Sequence, residues 1–249
     1  MPRLGNDDPT METHQVGASN FSFSAKRVED LGASEYTLAL LIVDTSPSVD
    51  AFAKEIESAV KEVVKSCRRS PRADNLMLRV VMFNSTVDEY HGFKPLTECN
   101  EDDYDDCIQT RGLTALYDAT YNGVQSMIQY GRDLTENDFD ANGAVFVITD
   151  GMDNRSKLTR DMVKTAVADA VNGEALESVI SVLIGVNTAD SQVGNYLKEF
   201  ADEAGFSQYV AIADATEKEL AKLGKFISQS ISSQSQSLGT GGPSQSLSF

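Results

Sequence analysis

Short apolar runs alternate in this chain with segments that carry the apolar stripe of an amphipathic helix. Three of the runs, Tyr36–Val43, Ala144–Thr149 and Val179–Val186, are continuous and of strand length, as is typical of strands buried on both faces. After the first run, apolar residues recur every three or four positions, at Phe52, Ile56, Val60, Val63 and Cys67. Strands that alternate with helices favour an α/β fold, here a Rossmann-like open and mostly parallel sheet with helices on both faces.

The remaining elements are consistent with one such sheet. Leu76–Phe83 is predicted to be a strand, and Thr86–Lys94 follows it so closely that it must turn back as an antiparallel edge strand. Further helices are predicted to begin at Thr114 and to cover Thr159–Ala170, Ser191–Ala204 and Glu217–Ile231, with a short last strand over Gln208–Ile212.

A chain of 249 residues can bury one substantial core, so one domain with tails is expected. Residues 1–35 are interpreted as a polar leader with a possible arm strand over Asn20–Lys26, and residues 36–231 as the domain. Residues 232–249 are predicted to be a disordered tail. Nine Ser and four Gln fill 13 of the 22 positions from Ser228 to Phe249, which leaves few apolar groups to offset the entropy of ordering.

The balance of charge argues against one class of partner. Lys and Arg number 21 against 38 Asp and Glu, for a net charge of −17. Such a surface repels phosphate backbones, so nucleic acid is not an expected partner.

The cysteines and the apolar content predict a location. Cys67, Cys99 and Cys107 are an odd number without the spacing of a disulfide framework, so we expect small buried side chains or idle thiols. The first eight residues lack the apolar core of a secretory signal, and no stretch approaches the roughly 20 apolar residues of a membrane span. The expectation is a cytoplasmic protein without a membrane partner.

Oxygen-bearing side chains occur in three short segments, two of which follow apolar runs. Asp44-Thr45-Ser46-Pro47-Ser48 follows the first run, Gly112-Leu113-Thr114 lies in the middle of the chain, and Thr149-Asp150-Gly151 closes a later run. Because the carboxyl ends of parallel strands meet at one crevice, these segments can share a site. The candidate metal ligands are Asp44, Ser46, Ser48, Thr114 and Asp150. Hydroxyl and carboxylate oxygens, without sulfur or imidazole, suit a hard cation such as Mg²⁺ or Mn²⁺ rather than zinc.

Each of these residues also has a purely structural interpretation. Ser46, Ser48 and Thr114 could cap the helices that follow them, and Asp150 could hydrogen-bond within its own turn. Taken together, capping does not explain why five oxygen-bearing side chains occur in this pattern beside strand ends. A metal site is the preferred interpretation.

The three segments, in this order, resemble the metal-ion-dependent adhesion site (MIDAS) of the von Willebrand factor A domain. The resemblance runs from about Tyr36 to Ile227, and all five motif positions are filled. It implies that Ser46, Ser48 and Thr114 ligate the ion directly, and that the two aspartates hold waters and orient the serines. One departure is Pro47, where many members have Gly; proline fixes φ, which the entry to a helix tolerates.

The resemblance also implies a function. A protein partner would complete the coordination of the ion with a Glu or Asp carboxylate, and in some members this binding is coupled to sliding of the last helix, here Glu217–Ile231. The chain resembles stand-alone bacterial members, including tellurium-resistance-associated proteins and adaptors of AAA+ ATPases. The alternative is a structural or assembly component, whose tail or N-terminal arm makes the contacts and whose metal only stabilises the fold. The oligomeric state is left open.

No catalytic arrangement is predicted. Phosphotransferases of the haloacid dehalogenase type also place an aspartate after the first strand, but they need a second acid where this chain has Ser46. The sequence has neither a G-x-x-x-x-G-K-[ST] phosphate loop nor a G-x-S-x-G nucleophile elbow. Its two histidines, His14 and His91, lie in the polar leader and in the predicted edge strand, so a Ser-His-Asp arrangement lacks a suitable base. His91 is expected to be an ordinary surface or edge residue.

Overall fold

Eight strands form one sheet in the computed structural model, which describes residues 8–16, 20–242 and 247–249. The strands are β1 (Met11–Gln15), β2 (Ser22–Lys26), β3 (Glu35–Asp44), β4 (Leu76–Phe83), β5 (Val87–Pro95), β6 (Asp140–Thr149), β7 (Val179–Val186) and β8 (Gln208–Ile212). Their order across the sheet is β1-β2-β5-β4-β3-β6-β7-β8.

The predicted fold class is confirmed. Strands β4, β3, β6, β7 and β8 are parallel to one another, and β5 pairs with β4 in the antiparallel sense. The structure adds two strands outside β5: β2 pairs with it in parallel, and β1 pairs with β2 in the antiparallel sense. The carboxyl ends of the five parallel strands therefore lie along one end of the sheet.

Within the described residues, five α-helices cover both faces of this sheet. They are α1 (Ala53–Arg68), α2 (Leu116–Thr135), α3 (Arg160–Asn172), α4 (Ser191–Ala204) and α5 (Glu217–Thr240). Helices α1 and α5 pack together on one face, and α2, α3 and α4 pack on the other. The two cores thus lie on opposite faces of one central sheet, as the continuous apolar runs require.

The N-terminal arm is part of the sheet. Alternate residues of β2, Phe23 and Ala25, are buried, and Ser24 bonds through its amide and hydroxyl to the carboxylate of Glu89. Glu89 in turn pairs with Arg79, which is buried on β4. The possible arm strand over Asn20–Lys26 is observed as β2, and Met11–Gln15 of the predicted leader form a further strand, β1. Residues 1–7 and 17–19 lie outside the described residues.

The predicted disordered tail is wrong over residues 232–240, which continue α5. Gln234 and Ser235 are fully buried there. Gln234 Nε2 donates to Ser178 Oγ and Ser235 Oγ accepts from Arg72 Nε, whereas Gln234 Oε1 has no hydrogen-bond partner among the described residues. Residues 243–246 lie outside the described part, and beyond them Leu247 packs against the α1–α5 core. The ring of Phe249 lies 5.6 Å from that of Phe226, so these last residues also contact the domain.

Two further expectations concern the cysteines and membrane spans. The three cysteines are free and buried, as predicted, and burial raises the pKa of Cys67 and of Cys107 to about 12. Within the described residues, no helix is both long and apolar enough to cross a membrane.

Candidate metal site

The three sequence segments meet at the carboxyl end of the sheet. Asp44 is the last residue of β3 and Thr149 the last of β6, and these two strands are parallel neighbours paired up to Val43 and Ile148. Their carboxyl ends therefore lie side by side, and the loops that follow them share one crevice.

Hydrogen bonds connect four of the five candidate side chains. Asp44 Oδ1 accepts from the amide of Ser46 at 2.8 Å, and the hydroxyls of Ser46 and Ser48 are 3.1 Å apart. Ser48 Oγ donates to Asp150 Oδ1 at 2.8 Å, which joins the loop after β3 to the loop after β6. The second oxygen of Asp44 accepts from Thr149 Oγ1 at 2.6 Å, so both its oxygens are held.

The fifth candidate, Thr114, is held by backbone contacts. Its amide donates to Asn154 Oδ1 at 2.8 Å, and its carbonyl accepts from the amide of Asn154 at 3.0 Å. A Cβ built on Gly151 would lie 3.6 Å from Thr114 Oγ1, so this hydroxyl sits beside the Asp150–Gly151 segment. The structure thus brings all three segments, and the five predicted residues, to one place.

Gly112 positions the loop that carries Thr114. It has a φ of +77°, a conformation that glycine adopts at little cost, and a Cβ there would lie only 2.6 Å from Ser85 Oγ. Gly112 is therefore required by both its backbone and its surroundings.

The helix-capping alternatives are not seen. Ser46 precedes a 3₁₀ helix (Pro47–Phe52), but its side chain makes no capping hydrogen bond, and Pro47 occupies the first helical position. Helix α2 is preceded by Ala115, again without a side-chain cap. The hydroxyls of Ser46, Ser48 and Thr114 thus do not cap the amino ends of helices. Pro47 fits the first position of the 3₁₀ helix.

The two carboxylates are buried to different degrees, and the pKa of each is raised, which favours the neutral form. Burial raises the pKa of Asp44 to about 6, although hydrogen bonds from Thr149 and Ser46 act in the opposite direction and the charge of Asp150 adds to the rise. Burial also raises the pKa of Asp150, against the hydrogen bond from Ser48. A cation bound between these groups would compensate the negative charge that burial disfavours.

The donor set fits a hard divalent cation. Every candidate atom is a hydroxyl or carboxylate oxygen, the type of ligand that Mg²⁺ and Mn²⁺ prefer. Ser46 and Asp44 are buried at the floor of the crevice, whereas Ser48 is exposed at its mouth. The crevice is therefore closed by buried residues at its floor and open to solvent at Ser48.

Comparisons with known proteins concern the fold. No family model and no curated protein sequence matches this chain. Among solved structures, it is similar to the PilB minor pilin from Streptococcus sanguinis (TM-score 0.59, 14% identity, covering 88% of this chain and 66% of the pilin). It is also similar to proximal thread matrix protein 1 from the mussel byssus, in a form with a zinc-occupied MIDAS motif (TM-score 0.53, 17% identity, 79% of this chain and 46% of that protein). A third similarity is to the pilus adhesin SpaC from Lactobacillus rhamnosus GG in its open conformation (TM-score 0.51, 12% identity, 84% of this chain and 32% of the adhesin).

The fold is of the von Willebrand A type. The sheet order, the helices on both faces and these structural similarities support it together. The chain spans 66% or less of the length of each protein named above, and at these identities the similarity concerns the von Willebrand A-like fold alone.

Three residues that support the site are not among the five predicted ligands. Thr149 holds Asp44, and Asn154 holds the backbone of Thr114 on both sides. Asp118, in the first turn of α2, accepts from the amides of Lys157 and Leu158 and so fixes the loop after β6. Thr149 and Asn154 lie within or near the Thr-Asp-Gly segment, but nothing local indicates which groups they bond.

His91, which was expected at the surface or at a sheet edge, and the acidic segment Glu98–Asp106 are not among the five candidate residues. His91 is buried and not a surface residue: its ring bonds to Gly92 O and to the hydroxyl of Tyr104, and burial lowers its pKa to about 3. The acidic segment Glu98–Asp106 contains a short 3₁₀ helix (Glu101–Tyr104), and its acids pair with lysines of α1. Among the described residues, no group of three or more His, Cys, Asp or Glu side chains is arranged to hold a metal ion.

Proposed function

We propose that this chain is a metal-dependent protein-interaction module. It binds Mg²⁺ or Mn²⁺ at Asp44, Ser46, Ser48, Thr114 and Asp150, and through the ion it binds a Glu or Asp carboxylate of a protein partner. The observation that carries the proposal is the hydrogen-bonded chain from Asp44 through Ser46 and Ser48 to Asp150, built across two strand ends and open to solvent at Ser48.

The residues have distinct roles in this proposal. Ser46, Ser48 and Thr114 offer neutral hydroxyl oxygens to the ion, while Asp44 and Asp150 orient those groups and balance part of its charge. An ion held by neutral oxygens retains more of its positive charge toward the open side of the crevice. When bound, it supplies the attraction for a partner carboxylate.

The proteins with similar structures support the interaction role. The mussel thread protein carries a divalent ion, zinc, in a MIDAS motif, and the other two similar structures are a pilin and a pilus adhesin. The all-oxygen donor set of this chain favours Mg²⁺ or Mn²⁺ over zinc.

We further propose a cytoplasmic location and a role as an adaptor for an AAA+ ATPase or a stress or defence complex. The free and buried cysteines are compatible with a reducing compartment. The pilus and byssus names of the similar structures favour an extracellular location instead. Fractionation of the native cells distinguishes the two.

The test is affinity capture from native lysate with identification of partners by mass spectrometry. Four samples are compared: wild type in Mg²⁺, wild type in EDTA, and Thr114→Ala and Thr114→Ser in Mg²⁺. We expect a partner that is retained by wild type and by Thr114→Ser, which keeps the hydroxyl, and that is lost from the other two. A partner retained in all four would contradict the proposal and favour the structural alternative, with contacts on the N-terminal arm or the end of α5.

Metal binding is checked on the same proteins by unfolding in urea. An ion that binds only the folded state adds about 2.7 kcal/mol to the free energy of unfolding at 100 times its Kd. We expect this gain in wild type and Thr114→Ser and a much smaller gain in Thr114→Ala. Equal unfolding in EDTA would also show that Thr114→Ala is folded.

A further inference from the structure

Resting on the proposed function, we infer that the partner segment is acidic beyond its metal-bound carboxylate. Arg155 and Lys157, on the loop after β6, bind the additional acids of the partner, while Leu113, on the loop that carries Thr114, contacts an apolar residue. The partner chemistry is therefore an apolar residue followed by a cluster of acidic residues, of which the first reaches the ion.

The two cations are held close to the site by the backbone that carries them. Arg155 directly follows Asn154, whose side chain and amide bond to both sides of Thr114. Lys157 is fixed through its amide, which donates to both carboxylate oxygens of Asp118 at 3.0 and 3.2 Å. The loop is thus anchored at two points, and both basic side chains are exposed on it.

Neither cation forms an ion pair. Among the described residues, no carboxylate lies within 4 Å of the charged group of Arg155 or of Lys157. Asp153, two residues before Arg155, bonds to Ser156 at 2.5 Å rather than to Arg155. In a chain of net charge −17, two unpaired cations beside a carboxylate-binding site favour an acidic partner.

Arg111, on the loop before Thr114, differs from these two cations because it has an acidic neighbour. It lies 3.4 Å from Asp88, and 69% of its side chain is exposed. Arg155 and Lys157 have no such neighbour, so we expect the additional acids of the partner segment to lie over the loop after β6.

Leu113 supplies an apolar contact beside Thr114. Its side chain is 47% exposed although it immediately precedes Thr114. Its amide donates to Ser85 Oγ at 2.8 Å, and the positive φ of Gly112 sets the preceding turn, so the exposed position is fixed by the fold. An exposed leucine beside a polar site fits an apolar partner residue next to the metal-bound acid.

The test measures binding of two fluorescent peptides in Mg²⁺ at constant ionic strength. One peptide contains Leu-Glu-Gly-Gly and the other Leu-Glu-Glu-Glu, within the same flanking residues. The variant is Arg155→Gln with Lys157→Gln, and the matched control is Arg69→Gln with Lys164→Gln, which removes the same charge from exposed positions elsewhere. Surface ion pairs of modest strength predict about a fivefold preference of the wild type for the three-acid peptide.

The outcomes separate this inference from the proposed function. We expect the preference to fall to about onefold in Arg155→Gln/Lys157→Gln and to persist in the control, with the one-acid peptide still lost in EDTA. A wild type without preference, or a preference that survives the variant, would overturn the inference while metal-dependent binding of the one-acid peptide still stands. No binding of either peptide in Mg²⁺ or Mn²⁺ would overturn the proposed function, and this inference with it.

Discussion

The two ends of the central sheet both carry polar side chains, but they differ in what covers them. At the carboxyl end, Asp44 closes β3, and Ser46 and Ser48 follow on a loop whose crevice is open at Ser48. At the amino end, a polar layer lies under α5. It consists of the buried residues Thr37, Asn142, Gln234 and Ser235 and the partly buried Ser178. Similar residue types are therefore packed under a helix at one end and lie beside an open crevice at the other.

The amino-end layer holds α5 to the sheet by hydrogen bonds. Asn142 Nδ2 donates to Gln234 O at 2.8 Å, and Gln234 Nε2 donates to Ser178 Oγ at 2.9 Å and more weakly to Gly143 O at 3.3 Å. Ser235 Oγ accepts from Arg72 Nε at 2.8 Å. Sliding of the last helix, which the family resemblance implies for some members, would have to break these bonds.

Charge is the second difference between the two ends. The carboxyl end has two acids whose pKa values are raised by burial, whereas the bonds under α5 are made mainly by amides and hydroxyls. Metal ions and pH are therefore expected to act on the first end and to leave the second unchanged.

The largest effect is expected at the amino end. Gln234→Ala removes a fully buried side chain together with the bond from its Nε2 to Ser178 Oγ, and it opens a small cavity, so we expect the free energy of unfolding to fall by about 3 kcal/mol. Urea denaturation measures it, with Gln236→Ala, at an exposed position of the same helix, as the control. A loss below about 1 kcal/mol would mean that the polar layer does not hold α5.

A change of opposite sign is expected at the carboxyl end. The folded-state pKa of Asp44 is raised from 3.8 to about 6, so ionisation costs stability as pH rises from about 4 to above 6. In EDTA, Asp44→Asn removes this cost, and we expect its stability relative to wild type to rise by about 2 kcal/mol between pH 4 and pH 7. Urea denaturation across this range measures the difference, and a difference that does not vary with pH would contradict the assignment.

The same pair of proteins tests the metal. In saturating Mg²⁺ at pH 7, wild type gains stability from the bound ion and the variant does not, so the advantage of Asp44→Asn should shrink or reverse. Gln234→Ala is the control here, because it should respond to Mg²⁺ as wild type does.

The smallest effect is expected for Ser235→Ala. Arg72 loses its acceptor at Ser235 but keeps its ion pair with Glu35, and it is partly exposed to water, so we expect a loss of about 1 kcal/mol. The control is Ser233→Ala, at a partly buried position of the same helix. It should change the free energy of unfolding by less than about 0.5 kcal/mol. If the two variants are equally stable, the bond to Arg72 contributes nothing measurable.

Local sequence patterns alone determined most of the helices and strands and indicated the five residues of the candidate site. The bounds of β4, β7, β8 and α4 agree residue for residue with the prediction, because apolar runs and end signals such as Gly205 in the left-handed conformation are local. The five site residues could be chosen because parallel strands bring their carboxyl ends together wherever they lie in the sequence.

Tertiary structure alone decided the rest. The Ser/Gln-rich segment is helical through Thr240 because Gln234 bonds to Gly143 on β6 and to Ser178 just before β7, and Ser235 bonds to Arg72 before β4. No local pattern reveals these partners. His91 is buried for the same reason. Its strand, β5, was expected at the edge of the sheet, but β2 and β1 lie outside it, and the ring of His91 is hydrogen-bonded to the hydroxyl of Tyr104. A polar residue is predicted from sequence to be exposed, because its burial requires a hydrogen-bond partner. That partner is fixed only when distant segments fold together.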